Sequence, residues 1–380
     1  MIYLDNSATT KPHPDVLNSF HQVSERFFAN PSSIHQLGGE AEKLLQKAKQ
    51  QAAQILLVDE DEIIFTSGGT EGNNIAIKGI ALEHQGRGKH IITSQIEHPS
   101  VFEACKSLEK LGFEVTYLPV NENGIISVTE LENAIRHDTI LISIMHVNNE
   151  IGSVQPIEEI GEIAKKHPKL SFHVDHVQGL GKISLKLANS GIDLCTMSGH
   201  KVHGLKGTGI LYSNKRTKLF PLFHGGEQER SIRSGTENLA GAVAMVKALR
   251  LIKDREKNER NSLEVLNHYL RTELEQIQGV YLNTSPDTAA PHILNFSVPG
   301  IKPEVIIHML GEQGIYISTK SACSSKQLDE SRIVSACGFK QERSTSALRV
   351  SLSYDNTKEE VGTFIIKLKE AIQQLKEVME

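Results

Sequence analysis

The apolar positions along this chain follow two rhythms. Between His35 and Leu57, residues Leu37, Ala41, Leu44, Leu45, Ala48, Ala52 and Ile55 recur at spacings of three and four, which predicts an amphipathic helix. Beyond it, short apolar runs end near Thr66, Thr93, Leu118, Met145 and Asp175. Helical spacing fills the gaps, over roughly 70–84, 99–112, 128–137 and 156–167. Alternation of this kind predicts βαβ units and a mostly parallel sheet flanked by helices. Ligands on such sheets bind at the carboxyl ends of strands. Thr70, His98, Asn149 and Asp175 all lie at or just past such ends.

At the N-terminus an apolar Ile2-Tyr3-Leu4 gives way to a polar turn over 5–10. Pro12 and Pro14 hold off a helix until Asp15, which is placed to cap one over 16–28. A helix is expected again from about Glu237. The charged run 253–261 reads as a solvated helix face, and it marks the passage to a smaller α+β C-terminal domain. That domain is expected to hold a helix (261–278), strands near 280 and over 293–297, a helix (303–313) and a last helix (357–378). We therefore expect a large domain over 15–255 and a small one over 256–380, the latter joined by residues 1–14.

Composition narrows the class without naming a chemistry. With 380 residues, 39% hydrophobic and 23% charged, the chain suits a soluble globular protein with room for two cores. A net charge of −5 argues against nucleic acid as the main partner. No apolar run is long enough for a membrane span, and no basic segment followed by an apolar run opens the chain. The cysteines are Cys105, Cys195, Cys323 and Cys337; none form a C-x-x-C pair, so neither a zinc site nor a disulfide framework is expected, and a reducing cytoplasm fits.

Candidate chemistry centres on Lys201. It ends the stretch Ser198-Gly199-His200-Lys201, between one apolar segment and a second at Ile210-Leu211-Tyr212. A lysine held this way is a candidate for a Schiff base, with a carbonyl substrate or with pyridoxal phosphate. Asp175, 26 residues earlier at a strand end, can pair with a protonated pyridine nitrogen. Ser67-Gly68-Gly69-Thr70 leads from a strand into a helix, where backbone N–H groups and the helix dipole can hold a phosphate. His98 follows another strand and can lay an imidazole on a planar ring. Taken singly, these are equally a loop lysine, a helix cap, a tight turn and a polar histidine; their order and spacing together favour the cofactor. Cys323 differs from the other cysteines. It sits among Ser, Ala and Thr with Lys320 and Lys326 on either side, and nearby positive charge favours the thiolate.

In this order the motifs resemble a cysteine desulfurase of the nitrogen-fixation and iron–sulfur-cluster type, within the class V aminotransferase superfamily. The match is carried by Thr66-Ser-Gly-Gly-Thr-Glu71, His146-Val-Asn-Asn-Glu-Ile-Gly152, Ser198-Gly-His-Lys201, Arg233-Ser-Gly-Thr236, Ser321-Ala-Cys323-Ser and Leu348-Arg-Val-Ser-Leu352. The resemblance implies the fold type I architecture of pyridoxal-phosphate transferases, with the cofactor on Lys201. It implies Gly69 and Thr70 on the phosphate, Ser198 and His200 as phosphate-side or orienting residues, and Asp175, Gln178 and Asn149 on the ring, with Asn148 the alternative to Asn149. Thr236 would reach the phosphate of the neighbouring subunit of an obligate homodimer. Arg349, with Asn149, would bind the substrate L-cysteine; Lys201 and His98 would move its protons. Cys323 would take the sulfur as a persulfide and pass it to an acceptor protein, such as an iron–sulfur scaffold, a tRNA-thiolating enzyme or a thiamin-pathway carrier. The N-terminal turn and the Asn30-Pro31-Ser32-Ser33 loop would border the site. A selenocysteine lyase or another class V aminotransferase would share most of these residues. Gly69 and Leu205 stand where the family often has Ala and Pro, which would loosen two loops without removing a catalytic group.

Overall fold

A computed structural model of the protein describes residues 1–319 and 330–379. The chain opens with a short strand, β1 (Ile2–Tyr3), and two helices, α1 (Pro14–Arg26) and α2 (Gln36–Leu56). Seven strands then form one sheet: β2 (Ile63–Thr66), β3 (His90–Ser94), β4 (Glu114–Leu118), β5 (Thr139–Met145), β6 (Ser171–Asp175), β7 (Leu194–Ser198) and β8 (Gly209–Ser213). Helices α3 (Gly69–His84), α4 (Pro99–Glu109), α5 (Val128–Ala134) and α6 (Ile157–Lys165) connect the first five. Strand order is β2-β8-β7-β6-β5-β3-β4. Only β8 runs antiparallel to its neighbours. The carboxyl ends of the other strands therefore share one edge, as the βαβ pattern predicts.

The sheet is buried on both faces, and alternate residues show why. Ile64, Ile91, Leu141, Leu194 and Leu211 join a core with Ile75 and Ile80 of α3 and Val101 of α4. Their neighbours Ile63, Ile92, Ile142, Cys195 and Ile210 face the opposite core, with Leu131 of α5 and Ile160 of α6. A strand with apolar residues on both faces needs helices on both sides.

Two local expectations are corrected. The first helix is capped by His13, whose Nδ1 accepts from the backbone N–H of Asp15. Pro14 does not delay the helix but begins it, because the N–H that proline lacks is unpaired in a first turn anyway. The helices expected from 237 and over 261–278 are one, α7 (Leu239–Glu275), 37 residues long. Its only glycine is Gly241 and it holds no proline, and the charged run stays helical with Arg255 and Arg260 each paired to a glutamate one turn on.

The remaining elements are β9 (Tyr281–Leu282), β10 (Ile293–Ser297), α8 (Pro303–Glu312), β11 (Ile315–Tyr316), α9 (Arg332–Ala336), α10 (Gln341–Ser344), β12 (Ala347–Ser351) and α11 (Lys358–Met379). A three-stranded antiparallel sheet has β10 between β9 and β12. β12 has no counterpart among the expected elements, since Arg349 interrupts its apolar run. β1 pairs in parallel with β11, which brings residues 2–5 against the C-terminal part of the chain. Among the described residues no helix is long and apolar enough to cross a membrane.

Candidate active site

Lys201 is positioned by the end of β7. The strand is wholly buried and runs into a single 3₁₀ turn, Gly199–Lys201. Gly199 permits this turn: a Cβ there would lie 2.3 Å from Thr208 Oγ1. The Lys201 amine donates to the backbone carbonyls of Ser7 and, at 2.7 Å, of Ala8. From behind, buried Lys182 donates its own Nζ to the carbonyl of Lys201 at 2.8 Å. Burial, then the charge of Lys201, pushes the Lys182 amine down to about 7.

Asp175, the last residue of β6, lines one cavity with Lys201. Its Oδ2 accepts from Asn73 Nδ2 at 2.8 Å and its Oδ1 from the N–H of Val177 at 3.0 Å. Gln178 donates to the carbonyl of Ser7 at 3.0 Å, so it and Lys201 hold the same N-terminal turn. The N-terminus of α3 enters the cavity at Gly69 and Thr70. Its N-cap, Gly68, has φ +145°, a backbone that favours glycine. First-turn N–H groups have no intrahelical acceptor and can face an anion. Ser198 Oγ is buried beside them with no partner among the described residues. Gly69 also has a packing role, since a Cβ there would come 2.9 Å from Val177 Cγ2.

His98 caps α4. Its Nδ1 accepts from the N–H of Ser100 at 3.1 Å and lies 2.8 Å from Ser100 Oγ, which leaves Nε2 for other contacts. Burial holds the imidazole below its usual range. The preceding Glu97 is buried, and its Oε1 accepts from Ser94 Oγ at 2.6 Å and from the N–H of Met145 at 3.0 Å. Burial raises that carboxyl to about 8.

The two asparagines after β5 part company. Asn148 spends its amide on backbone, donating to Ile96 O and accepting from the N–H groups of Glu150 and Ile151. Asn149 lines the cavity. Arg349, 1% exposed, donates from Nη1 to the carbonyl of Asn149 at 2.7 Å and from Nη2 to Asp5 Oδ1 at 2.8 Å and Ser318 Oγ at 2.7 Å. Its Nε has no partner among the described residues.

One cavity of about 200 Å³ thus gathers Gly69, Thr70, His98, Asn149, Asp175, Gln178, Ser198, His200, Lys201 and Arg349. Burial brings the His200 imidazole down to about 4, and its Nδ1 lies 3.2 Å from Thr9 Oγ1. Ser7 and Ala8 of the N-terminal turn line the cavity, whereas the 30–33 loop does not. Thr236 lies elsewhere, in a cavity of about 160 Å³ with Ser67, Glu229 and Arg233. Cys323 lies outside the described residues. Sequence reasoning missed Asn73, whose only signal is its place one turn after Gly69 on the same face of α3, and Asp5, whose partner is 344 residues away.

The model of class V aminotransferases matches residues 2–364. The chain belongs to the class V aminotransferase family. Within it, the chain is 46% identical to a NifS/IscS-type protein homologue of Lactobacillus delbrueckii subsp. bulgaricus, over 100% of this chain and 99% of the relative. It is 43% identical to the cysteine desulfurase IscS of Dictyoglomus turgidum, covering 99% and 96%. A solved NifS-like protein superposes with a TM-score of 0.92 at 36% identity, covering 98% and 99%. The family resemblance drawn from the motifs, and the α/β fold it implied, hold for the class V aminotransferase chain as a whole.

Proposed function

We propose that the protein is a cysteine desulfurase that converts L-cysteine to L-alanine and leaves a persulfide on Cys323. The observation that carries the reading is the pairing, on one cavity, of the Lys201 amine and the Asn73-braced Asp175 with a buried arginine. Full-length relatives named cysteine desulfurase, at 43% and 44% identity, support it.

The residues present fit pyridoxal phosphate. Asp175 would hold the ring nitrogen, and the N-terminus of α3 with orphaned Ser198 Oγ would hold the phosphate. When bound, the group supplies an aldehyde for amines and an electron sink for charge developing on the substrate. Asn73 and the Val177 N–H fix both oxygens of Asp175, so the carboxylate faces one way. Arg349 binds the substrate carboxylate, and its guanidinium is already oriented by Asn149 O and Asp5. Lys201 moves the proton at the substrate Cα, and its hold on two backbone carbonyls keeps the amine at the cavity. Burial favours the neutral form of the His98 imidazole. The Cys323 thiolate attacks the substrate sulfur. The S–S bond forms as the C–S bond breaks, its electron pair stays on carbon, and a proton completes the methyl group of alanine. The persulfide then passes to an acceptor protein.

The same reading makes the protein a cytoplasmic homodimer. Phe28, Ile34 and Leu37 are exposed around the α1–α2 connection, and Phe220 and Phe223 are partly exposed as well, apolar groups that a second copy would cover. Thr236 lines a cavity separate from that of Lys201, beside Arg233, which is held by Glu71 at 2.8 Å, and would face a neighbour's site. Cys105, Cys195 and Cys337 are free and buried, in keeping with a reducing compartment.

The test is a cysteine-dependent assay on the purified, pyridoxal-phosphate-loaded protein. Sulfide (with a reductant) and alanine should appear in equal amounts, and Cys323→Ala should abolish both while the cofactor's visible absorbance persists. Undiminished sulfide release from Cys323→Ala removes that thiol from the reaction.

A further inference from the structure

The turn that delivers His98 has little regular structure of its own. It runs from the end of β3 to the start of α4, and its carbonyls at 95, 96 and 97 accept no backbone N–H bond among the described residues. Side chains from elsewhere satisfy all three. Asn148 donates to Ile96 O at 2.9 Å. Arg332, the first residue of α9, takes the other two: Nη1 donates to Gln95 O at 2.6 Å and Nη2 to Glu97 O at 2.7 Å. The same guanidinium lies 4.1 Å over the ring of Phe102, in the helix that His98 caps. One planar group therefore grips the turn before His98 and the helix after it. A planar fork with several fixed donors can do this; a single ammonium cannot satisfy both carbonyls and stack as well.

The position of α9 gives the grip a second meaning. Arg332 is nine residues along the chain from Cys323. Its neighbours are anchored too. Ser331 Oγ donates to Glu150 Oε2 at 2.7 Å, and Ser344 Oγ donates to Glu330 Oε2 at 3.0 Å. The chain leaving the Cys323 segment is therefore tied directly to the turn that carries His98.

We propose that Arg332 is a positioning residue for His98, which it holds by clamping the carbonyls of Gln95 and Glu97 from the chain that follows Cys323. Although exposed on one side, the arginine sets the entry of α4, and hence the direction in which the His98 imidazole meets the cavity. It touches neither substrate nor cofactor and acts only through the turn. The structural half of the inference stands alone; its kinetic half rests on the cysteine desulfurase reading.

Two measurements on the full-length, pyridoxal-phosphate-loaded protein test it. Hydrogen–deuterium exchange reports the turn directly, because the N–H groups of Ser100, Val101 and Phe102 are bonded to His98. In Arg332→Ala the peptide over 95–104 should exchange about tenfold faster, with the central sheet unchanged, and Arg332→Lys should fall between. In the cysteine assay, Arg332→Ala should lower kcat about tenfold with KM near that of the parent, since a small misplacement of a reacting group costs rate. In a His98→Ala background, Arg332→Ala should cost less than about twofold more, because residues acting through one another are not additive. Unchanged exchange at 95–104, or full multiplication of the two kinetic losses, overturns the proposal. A parent protein that makes no alanine from cysteine overturns the desulfurase reading instead, and the exchange result still decides the role of Arg332.

Discussion

Arg349 Nη2 and Asp5 Oδ1 form an ion pair 2.8 Å long across 344 residues of sequence, with the arginine almost wholly removed from solvent. A buried guanidinium needs a carboxylate partner. Asp5 supplies it, and Asn149 O and Ser318 Oγ take further N–H groups. The arginine is thus oriented by the fold itself, and its Nε has no partner among the described residues.

Arg349→Lys keeps the charge but loses the fork. We expect kcat/KM for cysteine to fall about tenfold to a hundredfold, mostly through KM, with the fold retained. Steady-state kinetics over a wide cysteine range checks this, and a loss confined to kcat would argue that Arg349 does not bind the substrate.

Asn73→Ala removes the donor to Asp175 Oδ2 and leaves the Val177 N–H to orient the carboxylate alone. Affinity for pyridoxal phosphate should drop about tenfold, with a shifted absorbance band and little change in Tm of the cofactor-free protein. Titration of that protein with the cofactor measures it.

Asn148 and Asn149, adjacent and both buried, should fail differently. Asn148→Ala orphans Ile96 O and the N–H groups of Glu150 and Ile151, and should destabilise the fold by about 1–3 kcal/mol in urea denaturation. Asn149→Ala should leave the denaturation midpoint nearly unchanged and act on turnover. Equal midpoints for the two variants would contradict the division.

Glu97 and three histidines set opposite pH dependences. Burial brings His146 and His200 to about 4 and His173 to about 3, below their ordinary 6.5. Their neutral forms stabilise the fold fully above about pH 6.5, and that contribution is lost as pH falls toward 4 and below. Glu97, raised from 4.5 to about 8, contributes fully below 4.5 and loses its contribution as pH rises through 8. Glu97→Gln should therefore match the parent's stability near pH 4.5, exceed it increasingly as pH rises, and level off above about pH 8. Denaturation midpoints across that range would show the divergence, and parallel curves would mean that Glu97 is not held protonated.

The sequence by itself determined the sheet, its connecting helices and the edge on which chemistry gathers. Those depend on local apolar periodicity and on short motifs, and each strand end from Thr66 to Asp175 could be read where the apolar run stops. It also marked Lys201, Asp175 and His98, because each lies at the carboxyl end of an apolar strand or within four residues of it. What only the tertiary structure decided involves partners far apart in the chain. Asp5 meets Arg349 because β1 pairs with β11 and Asp5 itself bridges Ser351 of β12, and no spacing encodes that. Asn148 and Asn149 are one residue type in one motif, and the fold commits the first amide to backbone groups while the second residue lines the cavity. Continuity of α7 was likewise hidden, since a charged run breaks hydrophobic periodicity without breaking a helix. Local patterns record which face is buried; which distant group satisfies a buried charge is settled only when the faces meet.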